Sequence, residues 1–117
     1  MKKTGILVAI ILIAKVMMGQ IVSADSAKYY NGKIVTVKGT VMSTFKTTGD
    51  KKSLVLNFNK PFPDQSFQVI IYEEDFPKFK YPFPDNLKDK IVYVKGKVRM
   101  VKGKPEIMVN APDQIFF

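Results

Sequence analysis

Gly32-Lys33-Ile34-Val35-Thr36-Val37-Lys38-Gly39-Thr40-Val41 has a near-copy later in this chain. Asp89-Lys90-Ile91-Val92-Tyr93-Val94-Lys95-Gly96-Lys97-Val98 repeats its Lys-Ile-Val, its Val-Lys-Gly and its closing valine in register. Each copy is a β-branched run with a glycine near the middle, and a glycine inside a strand marks a bulge or a sharp bend. A strand that bends can pair on both sides of a small barrel. The two copies are therefore expected to be long, coiled strands that close a five-stranded barrel. The residues between them would supply two more strands and a connector.

Working outward, alternation assigns faces. The first strand, about 33–44, turns Val35, Val37 and Val41 inward and Ile34, Thr36, Lys38 and Thr40 outward, with Gly39 as the place where a bulge would reverse the parity. Residues 46–52 are polar and turn-forming, a hairpin loop longer than the two-residue minimum. The second strand, about 53–59, puts Leu54, Leu56 and Phe58 on one face and Val55 and Asn57 on the other, and ends where Pro61 and Pro63 remove backbone donors. The third, about 66–73, turns Phe67, Val69 and Ile71 inward and Gln68, Ile70 and Tyr72 outward.

The connector 74–88 contains Pro77, Pro82 and Pro84, so a helix there is short, with Asp75 as its N-cap. Its aromatics Phe76, Phe79, Tyr81 and Phe83 are expected to cover the lower mouth of the barrel. The fourth strand, about 90–101, repeats the first. Residues 102–105 turn the chain into a fifth strand at 106–110, and Ala111-Pro112-Asp113 ends it before an apolar tail. Ahead of the first strand, residues 25–31 form a lead-in whose Tyr29 and Tyr30 are expected to pack across the open end.

Residues 1–24 have the layout of an export signal: Lys2 and Lys3, an apolar run from Gly5 to Ala14, then Val22-Ser23-Ala24 as a small-residue cleavage site. Lys15 cuts the apolar run to about half the roughly 20 residues that span a bilayer, which favours cleavage after Ala24 over a retained anchor. The expected product is a periplasmic or secreted domain, 25–117, with no stable membrane span. The chain carries 19 basic and 10 acidic residues. The leader takes three lysines and no acid with it, so the rest stays basic. With no cysteine there is no disulfide, thiolate metal site or lipid-modified cysteine. A small exported domain without such staples must rely on a tightly packed core.

The order β-β-β-connector-β-β resembles the oligonucleotide/oligosaccharide-binding (OB) fold, an all-β five-stranded Greek-key barrel. Leu56-Asn57-Phe58, a proline-rich turn and Phe67-Gln68-Val69-Ile70-Ile71 are similar to the small bacterial OB-fold domains of the nucleic-acid-binding or tRNA-anticodon-like type. Gly103-Lys104-Pro105-Glu106-Ile107, running into Pro112-Asp113-Gln114-Ile115, fits the same group. Such domains have a glycine after the Asn-Phe pair. Here Asn59 stands in its place, a residue that tolerates the left-handed conformation.

With no histidine and no cysteine, Ser-His and Cys-His nucleophile pairs and the usual transition-metal ligand sets are excluded. Nucleases of the staphylococcal type also use an OB barrel, with a pair of arginines; Arg99 is alone here, and lysine does not replace its bidentate fork. Glu73-Glu74-Asp75 could hold a hard cation, but reads better as a helix cap beside two exposed glutamates. No enzyme activity, metal or cofactor is expected.

The resemblance implies a ligand lying across the second and third strands, between the first and last hairpin loops. On this assignment the loops carry Lys46, Lys51, Lys52, Lys102 and Lys104. The face between them shows Lys38, Asn57, Gln68 and Tyr72, with Tyr93, Lys95 and Lys97 as an extension. Basic loops around a polar strip suit single-stranded nucleic acid or another acidic polymer. Only Tyr72, with Tyr93 at the margin, is placed to stack, so affinity would be largely electrostatic. The alternatives are an envelope-assembly module that binds a protein partner, its lysines only solvated charge, and a barrel for neutral oligosaccharide.

Overall fold

The computed structural model describes residues 19–79 and 87–117. The expected leader up to residue 18, and Tyr81 and Phe83 of the connector, lie outside the described residues. Strands dominate what is described: β1 (Ile21–Ser23), β2 (Ile34–Lys46), β3 (Ser53–Phe58), β4 (Phe67–Tyr72), β5 (Ile91–Lys97), β6 (Arg99–Val101), β7 (Lys104–Met108) and β8 (Ile115–Phe116). Short 3-10 helices occupy Ala24–Tyr30, Glu73–Lys78 and Pro112–Gln114. The fold is all-β. The order of neighbours is β6-β7-β4-β3-β2-β5-β8, with β1 against β2.

The two copies of the repeated stretch pair with each other. β2 and β5 run antiparallel with Val37 opposite Val94, Val35 opposite Gly96 and Gly39 opposite Val92. Corresponding residues thus exchange places about the Val37–Val94 pair, a local two-fold axis written into the repeat. Val35, Val37, Val41, Val92, Val94 and Val98 are buried, as alternation requires.

Neither glycine carries the expected bulge. The register shift in β2 falls between Val41 and Ser43, so Val35 to Val41 keep one parity straight through Gly39. The glycines serve close approach instead. A Cβ on Gly39 would stand 2.8 Å from Ala24 Cβ, and one on Gly96 would stand 2.5 Å from Ile107 Cγ2.

β2 then changes partners along its length. Its first half pairs β5 on one side and β1 on the other, and from Val41 onward it pairs β3. The parallel strand β1 was not expected, and it explains why Thr36 is buried although its parity points outward. Thr36 has cross-strand neighbours on both sides, Ile21 and Lys95, which close over a small side chain.

Among the described residues there are eight strand segments where five strands were expected. β1 and β8 are additions at the chain ends, and the fourth strand divides at Val98 into β5 and β6. Val98 bonds back to the start of the ribbon, its N–H donating to Lys33 O at 3.0 Å and its carbonyl accepting from Gly32 N at 2.7 Å. β6 pairs β7 antiparallel, and β7 lies parallel to β4. The last hairpin is tighter than expected. Lys102 and Gly103 hold φ of 50° and 80°, a two-residue turn of the kind that matches strand twist. Lys104 therefore already pairs Val101, and the strand starts two residues early.

The core gathers Leu54, Leu56 and Phe58 with Phe67, Val69, Ile71 and Ile107, all inward by alternation. Phe58 and Phe67 meet edge to face at 5.1 Å, a favoured aromatic geometry. Phe76, Phe79 and Tyr30 pack against this core. Tyr29 does not, being 74% exposed. Asp75 is not an N-cap: the helix starts at Glu73, directly after β4, with Tyr72 in the cap position. Asp75 is buried inside the first turn and accepts from Lys78 Nζ at 2.7 Å. Glu73 and Glu74 are exposed, as expected.

Candidate functional site

Because alternate residues of β3, β4 and β7 fill the core, the others form a continuous outer face, and cross-strand register sorts them into rows. One row is apolar: Phe45, Val55, Ile70 and Met108 stand side by side on β2, β3, β4 and β7. Phe45 is 60% exposed and Met108 38%, with Val55 and Ile70 half-buried between them. Sequence reasoning missed this row. The shift after Val41 puts Phe45 on the same outer face as Val55, and ending the strand at Thr44 left Phe45 unassigned. Ile70 was already legible as outward.

The neighbouring row is polar: Ser43, Asn57, Gln68, Glu106 and Arg99. Asn57 Nδ2 donates to Ser43 Oγ at 3.2 Å. Gln68 Nε2 donates to Glu106 Oε1 at 2.8 Å, and Gln68 Oε1 accepts from Gln65 Nε2 at 2.8 Å. Arg99 closes the row with Nε 2.8 Å and a terminal nitrogen 2.7 Å from Glu106 Oε2. The bond to Glu106, with help from Tyr72, raises the Arg99 pKa above its usual value.

This row holds itself together. Asn57, expected on the open surface, is buried, with its amide nitrogen bonded to Ser43 on the neighbouring strand, and Gln65 of the β3–β4 turn is buried as well, bonded to Gln68. Gln68 has both ends of its amide engaged. Among the described residues, the buried oxygens Asn57 Oδ1 and Gln65 Oε1 have no hydrogen-bond partner. Arg99 is a support for the buried Glu106 carboxylate, not a free guanidinium.

Past the apolar row, on its side away from the polar one, Tyr72 pairs Ser53, and Lys51 Nζ sits 4.2 Å from the centre of its ring. That geometry is a cation–π contact. One face of the expected stacking residue is thus occupied by an expected ligand lysine. Lys46 and Lys52 lie exposed in the same hairpin. Lys102 is exposed and Lys104 half-buried at the β6–β7 turn. Since Gln68 pairs Glu106 in parallel, Lys104 stands level with Ser66. At about 3.3 Å per residue the two lysine hairpins lie roughly 20 Å apart along β4, one at each end of the face.

Lys38 is not part of this group. It lies on the half of β2 that pairs β5, with its amine 5.5 Å from the centre of the Tyr93 ring. Tyr93 in turn stacks on Phe116 at 5.5 Å with the planes 1° apart. Lys38, Tyr93, Lys95 and Lys97 therefore belong to the face of β1, β2, β5 and β8, because β2 has crossed to its other partners before β3 begins.

No protein family and no curated protein matches the chain. Among solved structures it is similar to a chain described as an aspartyl-tRNA synthetase from Leishmania major Friedlin, at 20% identity and a TM-score of 0.49, over 82% of this chain and 20% of that one. It is also similar to a chain described as a nucleic acid-binding lipoprotein from Klebsiella pneumoniae subsp. pneumoniae, at 14% identity and a TM-score of 0.41, over 73% of each chain. The chain thus spans about a fifth of the length of the synthetase.

Proposed function

We propose that this protein is an exported, non-catalytic binding module, a five-stranded OB-type barrel whose outer face over β3, β4 and β7 takes single-stranded nucleic acid or another acidic polymer. The barrel reading draws on β5 and β6 being one ribbon interrupted only at Val98, one part pairing β2 and the other β7. Gly96 against Ile107 brings β5 directly onto β7. The export reading draws on the leader-like sequence of residues 1–24. Among the described residues, no helix is long and apolar enough to cross a membrane.

The observation that carries the binding reading is the apolar row Phe45–Val55–Ile70–Met108 lying between two lysine-bearing hairpins. Backbone charge and base faces are the two things a single strand offers. Lysines answer the first through counterion release, and an apolar strip answers the second through contact with unstacked bases. A duplex hides its bases, and a neutral sugar has no use for the lysines.

The test is paired substitution. Changing Lys51, Lys52, Lys102 and Lys104 together to Gln is expected to weaken binding to a single-stranded oligonucleotide by at least about tenfold. Each substitution should move folding stability by no more than about 0.5 kcal/mol, except Lys51, where the lost contact with the Tyr72 ring costs up to about 1 kcal/mol. Phe45→Ala should weaken the same complex several-fold at unchanged salt dependence. Undiminished binding by the lysine variant would overturn the reading. A partner held through Phe45 and Met108 with no dependence on the lysines would point to a protein ligand instead.

A further inference from the structure

The small-residue site after Ala24 is the cut that the sequence alone suggests, yet the fold is built through it. Ile21–Ser23 forms β1, parallel to Thr36–Lys38, and Thr36 N donates to Gln20 O at 2.8 Å. Val22 and Ala24 are buried in the core. Ala24 Cβ fills the space beside Gly39 in which that residue could hold no side chain of its own. Ser23 caps the 3-10 helix Ala24–Tyr30, its Oγ accepting from Ser26 N at 3.2 Å. Gln20 Nε2 reaches Tyr30 OH at 3.1 Å.

A cut after Ala24 would remove all of this together. It would take away the strand, the helix cap and the methyl group packed on Gly39. The β2 edge at Thr36–Lys38 would lose its neighbour, and a bare strand edge invites pairing with other chains. We infer that residues 20–24 stay with the exported domain, and that leader processing removes nothing beyond Gly19. This inference rests on the export reading given above. Residues 20–24 are then the first strand and capping turn of the domain, and the Val-Ser-Ala sequence is small because Ala24 must fit against Gly39.

The experiment uses the full chain, expressed with its own N-terminus in a bacterial host and fractionated. The first residue is read by intact mass and N-terminal sequencing, and amide hydrogen exchange is followed at Thr36. Recovery outside the cytoplasm tests export separately, whatever the first residue. The expected product starts at Gln20 or earlier, an uncut chain included, with a slowly exchanging Thr36 amide. A folded exported protein starting at Asp25 would overturn the inference. If the chain is not exported, the Thr36 amide still decides: fast exchange would show that β1 is not part of the fold.

Discussion

Asn59 shows what a single residue does here. Its φ of 68° fulfils the sequence expectation that Asn tolerates the left-handed conformation there. Its side chain does what glycine could not. Asn59 Oδ1 accepts from Thr40 N at 3.1 Å and Nδ2 donates to Asp25 Oδ1 at 3.0 Å, tying β3 to β2 and both to the N-terminal segment. The conformation was legible from residue type. The bonds were not, because Asp25 is remote in sequence. Hydrogen bonds from Ser66 and then Asn59 hold the Asp25 carboxyl below its ordinary value of 3.8. A lowered pKa contributes stability that is whole above the unfolded value and is lost as pH falls through the folded one. Asp25→Ala should therefore be less stable than wild type at neutral pH, with the gap shrinking below about pH 4, as followed by urea unfolding across pH. An equal gap at pH 7 and pH 2 would contradict this.

At the scale of the element, the repeated ribbon was the most legible part of the chain. Its valine alternation gave the buried face, and its duplication marked two long strands, which the structure shows to pair with each other. The glycines were read as bulges or bends, since sequence shows a missing side chain but not what presses against the gap. Ile107 fills that gap at Gly96 and Ala24 fills it at Gly39. Both belong to other elements, β7 and the N-terminal 3-10 helix, which a glycine's own strand pattern does not reveal. β1 was hidden for another reason: an apolar stretch followed by small residues reads as a leader, and parallel pairing leaves no hairpin signal. Gly96→Ala should cost about 1–3 kcal/mol, the range for overpacking a well-filled core, because buried, β-branched Ile107 cannot swing aside. Thermal unfolding measures this, and an unchanged midpoint would mean that β5 and β7 have room to part.

For the molecule as a whole, charge and the all-β class were legible, while the layout of the proposed binding face was legible only in part. The hairpin lysines stand at the two ends of the outer face, as the order of elements implies. Lys38 and Tyr93 went elsewhere because β2 divides its length between two sets of partners. Asn57 and Gln68 are taken up within their own row, Asn57 by Ser43 and Gln68 by Gln65 and Glu106, so on the proposed reading the apolar row beside them offers the contact. Four lysines spread over roughly 20 Å would each displace a counterion from a bound strand. The most direct measurement is the Kd for a single-stranded oligonucleotide as salt rises from about 50 to about 200 mM. The account predicts a log–log slope of association of roughly −3, a loss of about 60-fold over that range. A slope near zero, or no binding at the lowest salt, would contradict it.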